Sequence, residues 1–161
     1  MSRKKTASCD WREAPAKKSN KPSTKKKSAP APRTRLMKRG SDYTWSGVGT
    51  ERYKCDDGTW SDVVRRTLVG GRGENTKFHL RYFEIAPGGH TTLECHTHEH
   101  VVTGIRGRGV CKVKGRRYEI NELDTIYIPP DAPHQLSNPY KKPFGFFCVV
   151  DARRDRPRPV E

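Results

Sequence analysis

Between Phe78 and Val150 the chain never sustains a helical hydrophobic pattern. Apolar and β-branched residues come instead in short runs: Phe78 to Ile85, Val101 to Ile105, Val110 to Lys114, Arg117 to Ile120, Thr125 to Ile128, His134 to Ser137 and Phe144 to Val150. Gly, Pro or Asn turns separate them. A chain of this kind must pair its strands with close sequence neighbours, which predicts an antiparallel β-barrel or jelly roll, the double-stranded β-helix. Pro87-Gly88-Gly89 reads as a turn, after which His90 to Cys95 opens a second hairpin. Ser61 to Leu68 is either a short strand or a helical turn. Gly70 to Gly73 is a loop, since it lacks the Lys-Ser or Lys-Thr that completes a phosphate-binding P-loop.

Within that second hairpin, Glu94, His96, His98 and His100 alternate with other residues. On an extended strand they would share one face. A further histidine, His134, follows Pro129-Pro130 and Pro133, whose fixed φ stiffens its approach. Imidazole suits Mn, Fe, Zn, Ni, Co or Cu, and an added carboxylate favours a harder ion such as Mn or Fe(II). Four protein ligands around an ion that accepts six would leave two positions for water, oxygen or a chelating substrate.

Two linked motifs carry a family resemblance. Gly88 to Gly107 reads G-x5-E-x-H-x3-H-x6-G, which resembles the first motif of the cupin family, G-x5-H-x-H-x3-E-x6-G, with the first His and the Glu exchanged. Pro129, His134 and Asn138 match the second motif, G-x5-P-x-G-x2-H-x3-N, while Leu123 and Asp131 stand where it has Gly. The resemblance implies a barrel over about residues 78–150 holding a small-molecule ligand, and a divalent metal on Glu94, His96, His100 and His134. If the hairpin is two residues shorter than the motif, His98 is the alternative ligand and Glu94 drops out. Single-barrel cupins commonly pair, which implies a homodimer involving residues around Tyr43 to Thr59. The family spans dioxygenases, isomerases, lyases, storage proteins and sensors, so fold alone names no reaction. Two expectations follow: a metal-dependent enzyme on a small anionic molecule, or a non-catalytic accessory subunit or ligand sensor tethered to a larger assembly.

Charge separates the chain into two parts. Of the net +15, residues 1–40 contribute an excess of twelve, with nine Lys and five Arg against Asp10 and Glu13. Residues 41–161 carry only the remaining three, which disfavours nucleic-acid binding by the barrel itself. The Lys/Pro/Ser-rich extension over 1–40 has too little apolar surface to offset the entropy of ordering, and is expected to be disordered. An acidic protein or RNA is the partner its charge would suit. No run of about 18 apolar residues occurs, so no membrane partner is expected. Five cysteines without a C-x-x-C pair suit reduced thiols in a cytoplasmic protein. The folded domain is placed over 41–161, with the arm from Ser41 to Thr59 laid on the barrel by Trp45 and Trp60. Arg81, Tyr82, Tyr127, Gln135, Phe146 and Cys148 are candidates for the cavity wall, decided by register. Arg106, Arg108, Arg116 and Arg117 read as a solvated basic rim.

Overall fold

The computed structural model describes residues 34–54, 57–155 and 157–160. Most of the 1–40 extension, and with it the expectations of disorder and of an acidic or RNA partner, lies outside the described residues. Those that are described form a short 3₁₀ turn and eleven strands, in order: β1 (Glu51–Arg52), β2 (Ser61–Val69), β3 (Phe78–His90), β4 (Glu94–Cys95), β5 (His100–Arg106), β6 (Gly109–Val113), β7 (Arg116–Ile120), β8 (Thr125–Ile128), β9 (His134–Ser137), β10 (Phe144–Asp151) and β11 (Arg158–Pro159). Every pairing is antiparallel, and the sheet curls into a nearly closed barrel. None of the described helices is long and apolar enough to cross a membrane.

Alternation along the strands sorts two clusters onto the two faces of the sheet. Inward residues of β3 and β10 are register partners: Phe83 with Phe146, Ile85 with Phe144, and Arg81 with Cys148. Phe83 and Phe146 stack at 5.4 Å, and Val102, Ile120, Ile128 and Leu136 close the apolar floor around them. Each such side chain removed from water contributes about 1.5–3 kcal/mol. On the outer face, Tyr82 and Phe147 are covered by Trp45, whose ring lies 4.9 Å from Tyr82, while Tyr43 stacks on Tyr82 at 5.9 Å. Trp45 therefore lays the preceding segment over the barrel as expected. Trp60 does not share that task, because it packs edge-on against Tyr53 at the inner cluster.

One open alternative is decided and two local expectations are corrected. Of the strand and the helical turn allowed for Ser61 to Leu68, the strand is found, over Ser61–Val69. Pro87-Gly88-Gly89 does not end a strand, because β3 continues through it to His90 and changes partners on the way. Its first part pairs with β2 and β10, and His90 pairs with Ser61 and Ser137. Gly88, at φ 83°, permits the bend, which two backbone hydrogen bonds hold: Gly88 N–H to the Asn138 carbonyl (2.8 Å) and Asn138 N–H to the Gly89 carbonyl (2.9 Å). The extended ligand strand is likewise interrupted, since residues 96–99 form a loop between β4 and β5.

At the far end of the first motif, Gly107 has φ 60° and a Cβ there would run into the Pro143 carbonyl. Leu123 and Asp131 adopt φ 69° and 55°, the left-handed conformation that glycine would supply at those places. The backbone geometry of both turns is kept although the glycines are not.

Candidate metal centre

β4, β9 and β5 bring the histidines together. Glu94 and His134 are direct register partners across β4 and β9, and His100 is the first residue of β5. The 96–99 loop keeps the burial alternation of a strand, with His96, His98 and His100 inside and Thr97 and Glu99 outside. It does not keep one common face. His96, His100 and His134 converge, each with a nitrogen within 4.8 Å of the others, and the Nε2 atoms of His96 and His100 are 2.8 Å apart.

Backbone acceptors set the imidazole tautomers. His96 Nδ1–H donates to the His98 carbonyl (2.9 Å), and His134 Nδ1–H donates to the Ala132 carbonyl (2.8 Å). In a neutral ring this leaves Nε2 with its lone pair, as metal ligation requires. His100 Nδ1 is 3.1 Å from Cys148 Sγ. Burial, followed by the neighbouring imidazoles, pushes the His96 pKa down to about 4 and that of His100 lower still; burial also lowers that of His134. All three rings are therefore neutral near pH 7. The chemistry of the donor set fits a borderline transition ion such as Zn, Mn, Fe, Ni, Co or Cu.

Glu94 and His98 are placed differently. The Glu94 carboxylate is buried beside His134 but is ion-paired with Lys54, and its oxygens are not among the converging ligand atoms. His98 stacks on His96, and its Nδ1 meets Asp155 at 2.8 Å. Asp155 also accepts the Thr97 N–H at 2.9–3.0 Å; these bonds outweigh desolvation and hold its carboxyl below the usual range. His96, His98 and Asp155 thus make a second group able to share an ion.

Register also settles the cavity wall. Arg81, Phe146 and Cys148 face inward, with Arg81 Nη2 3.5 Å from Cys148 Sγ. Tyr82 belongs to the outer cluster, Tyr127 is 59% exposed, and Gln135 donates to the Thr91 carbonyl, so none of these three lines the triad. Of the supposed basic rim, Arg106 bonds Glu84 and Asp42, and Arg108 pairs with Glu119. Sequence reasoning missed Lys54, Asp155 and Arg154. Lys54 and Asp155 lie in loops, and Arg154 lies just beyond β10, where no periodicity marks a facing.

A model of the family described as Cupin domain matches residues 81–150. The chain is 39% identical over 119 residues to a Rhodospirillum rubrum protein named 1-methylthio-D-xylulose 5-phosphate methylsulfurylase, covering 73% of this chain and 75% of that one. A crystal structure of a cupin-2 domain from the same organism superposes with a TM-score of 0.69 at 38% identity, over 75% of this chain and 80% of that one. A cupin 2 conserved barrel protein from Rhodopseudomonas palustris gives a TM-score of 0.73 at 35% identity, over 79% and 87%.

Proposed function

This chain belongs to the cupin family, and from that premise we propose that it is a metal-dependent enzyme acting on a small anionic molecule inside its barrel. The observation that carries the reading is the convergence of three buried, neutral imidazoles whose outer nitrogens are already anchored. Such a set is costly to build for stability alone, because buried polar rings need partners that an apolar core does not.

His96, His100 and His134 would hold the ion. Glu94, beside His134 and under the control of Lys54, is the carboxylate proposed to complete the set. A bound divalent ion would supply Lewis acidity toward a substrate oxygen. The protein's own part is to keep the imidazoles neutral, orient those of His96 and His134 through their Nδ1–H bonds and that of His100 through Cys148, and exclude water with the apolar floor of Phe83, Phe146 and Ile85. Cys148 holds the far side of His100, so it acts on the centre through that ring. The name of the Rhodospirillum rubrum relative contains a sugar phosphate, which supports a small anion as substrate.

The test is metal analysis of untagged protein, followed by assay with 1-methylthio-D-xylulose 5-phosphate and other small phosphorylated sugars. A stoichiometric ion whose removal abolishes turnover is expected. Turnover by chelated protein, or by a variant lacking His100, would overturn the reading.

A further inference from the structure

The inner wall next to the triad is cationic in a way the metal centre does not require. On β3, His79 and Arg81 are two residues apart and face the interior, register partners of Val150 and Cys148 on β10. Arg81 is half-buried, and its Nε is shut off from solvent without a hydrogen-bond acceptor. The Arg81 contacts are Cys148 Sγ and the face of the Phe83 ring, 5.1 Å away. Just past β10, Arg154 extends Nη1 to His79 Nδ1 at 3.1 Å. Because a guanidinium can only donate, His79 must accept with Nδ1, so its proton is on Nε2 and offers one more donor.

A buried cation is normally matched by a carboxylate. Among the described residues the nearby carboxylates are engaged elsewhere: Glu51 with Arg65, Glu94 with Lys54, Asp155 with His98 and Thr97, and Asp151 with the Arg153 N–H. Arg81 and Arg154 instead act on each other and on His79 as like charges, which, after burial, depress the pKa of His79. Among the described residues no carboxylate bonds either guanidinium, Arg154 reaching only His79 and the Asp151 backbone carbonyl (3.4 Å), which leaves room for an anion from solution. The Cys148 sulfur bridges this region to His100, placing it one side chain from the triad.

We propose that Arg81, Arg154 and His79 form an anion subsite that holds the phosphate monoester of the substrate while its reacting end meets the histidine triad. Two guanidinium groups and an imidazole N–H, two of them from β3 and one from the segment just past β10, suit a tetrahedral dianion better than a planar carboxylate. The assignment of substrate class rests on the reading of the barrel as an enzyme for small anions, whereas the subsite itself does not need the metal.

The experiment is a titration of the full chain with inorganic phosphate, read by calorimetry and phosphorus NMR, in metal-stripped and metal-reloaded protein. Wild-type protein should bind phosphate in both states. Arg81→Gln and Arg154→Gln should each weaken that binding about tenfold or more, with metal per chain unchanged, and Arg81→Lys should recover part of the loss. Should Arg81→Gln fail to fold, Arg154→Gln carries the test alone. Phosphate binding that vanishes on stripping yet is untouched by Arg154→Gln would put the anion on the ion and overturn the subsite, as would no binding in either state. Protein that takes up no metal but still binds phosphate through these arginines would uphold the subsite and refute the proposed enzyme.

Discussion

The imidazole of His98 stacks on that of His96, with ring centroids 3.7 Å apart and an angle of 5° between the planes, yet the two rings meet different partners. His96 turns Nε2 toward His100, while His98 turns Nδ1 toward Asp155. Stacking lets one short loop bury both rings while His96 joins His100 and His134 and His98 reaches Asp155.

That division predicts unequal effects on metal binding. His96→Ala, His100→Ala and His134→Ala should each lower affinity by at least about a hundredfold. His98→Ala should cost about tenfold or less, since it removes a packing partner of His96. Glu94→Gln probes the proposed carboxylate and should fall between these. Metal content by mass spectrometry after dialysis checks the order. If His98→Ala abolishes binding and Glu94→Gln leaves it intact, the ion is held by His96, His98, His100 and His134 instead.

Acid should destabilise the metal-free protein. An unfolded chain protonates its histidines near the ordinary value of 6.5, whereas burial delays His96 to about 4 and His100 beyond that. Between those values the unfolded state binds more protons, so stability is complete above about 6.5 and declines as pH falls toward 4. Thermal melts of stripped protein at intervals from pH 7.5 to 4.5 would show this as a falling midpoint. The slope should flatten in His96→Asn. A midpoint independent of pH would mean that the rings are solvated in the metal-free state.

Leu123 is 82% exposed and has φ 69°, so its side chain buries little to offset the strain of the left-handed conformation. Leu123→Gly should stabilise the protein by about 0.5–1 kcal/mol, the relief of that strain less the entropy glycine adds to the unfolded chain. The turn's hydrogen bond from Leu123 N–H to the Gly104 carbonyl (2.8 Å) is retained in this variant. A lower unfolding midpoint in urea would contradict the assignment.

Truncation should show where the folded unit begins. Met37 packs on the outer cluster, Arg39 bridges to Trp45, and Arg35 meets Glu74. Removing residues 1–33 is expected to leave the melting temperature nearly unchanged. Removing 1–40 should cost about 1–2 kcal/mol through the lost Met37 burial. If the basic residues tether the chain to RNA or an acidic protein, binding by the full chain should fall steeply with salt, and the shorter form should lose it. Salt-insensitive binding, or binding that survives removal of 1–40, would move the interface to the barrel.

By itself, the sequence determined the class of fold and the identity of the histidines. Short apolar runs punctuated by Gly, Pro and Asn admit little besides an antiparallel barrel, and that local pattern is independent of long-range packing. Spacing between Gly88 and Gly107, with His134 before Asn138, was enough to nominate His96, His100 and His134, which the fold brings together. The direction of each ring was not legible, because residues 96–99 leave the strand and alternation then no longer assigns a face. Only the tertiary structure decided that Lys54 binds Glu94, that Asp155 meets His98, and that Arg81 points inward while Tyr82 points out. Those partners stand 40, 57 and 67 residues from the groups they meet, or depend on a strand's register. No local propensity encodes such contacts, since they exist only once the barrel has closed.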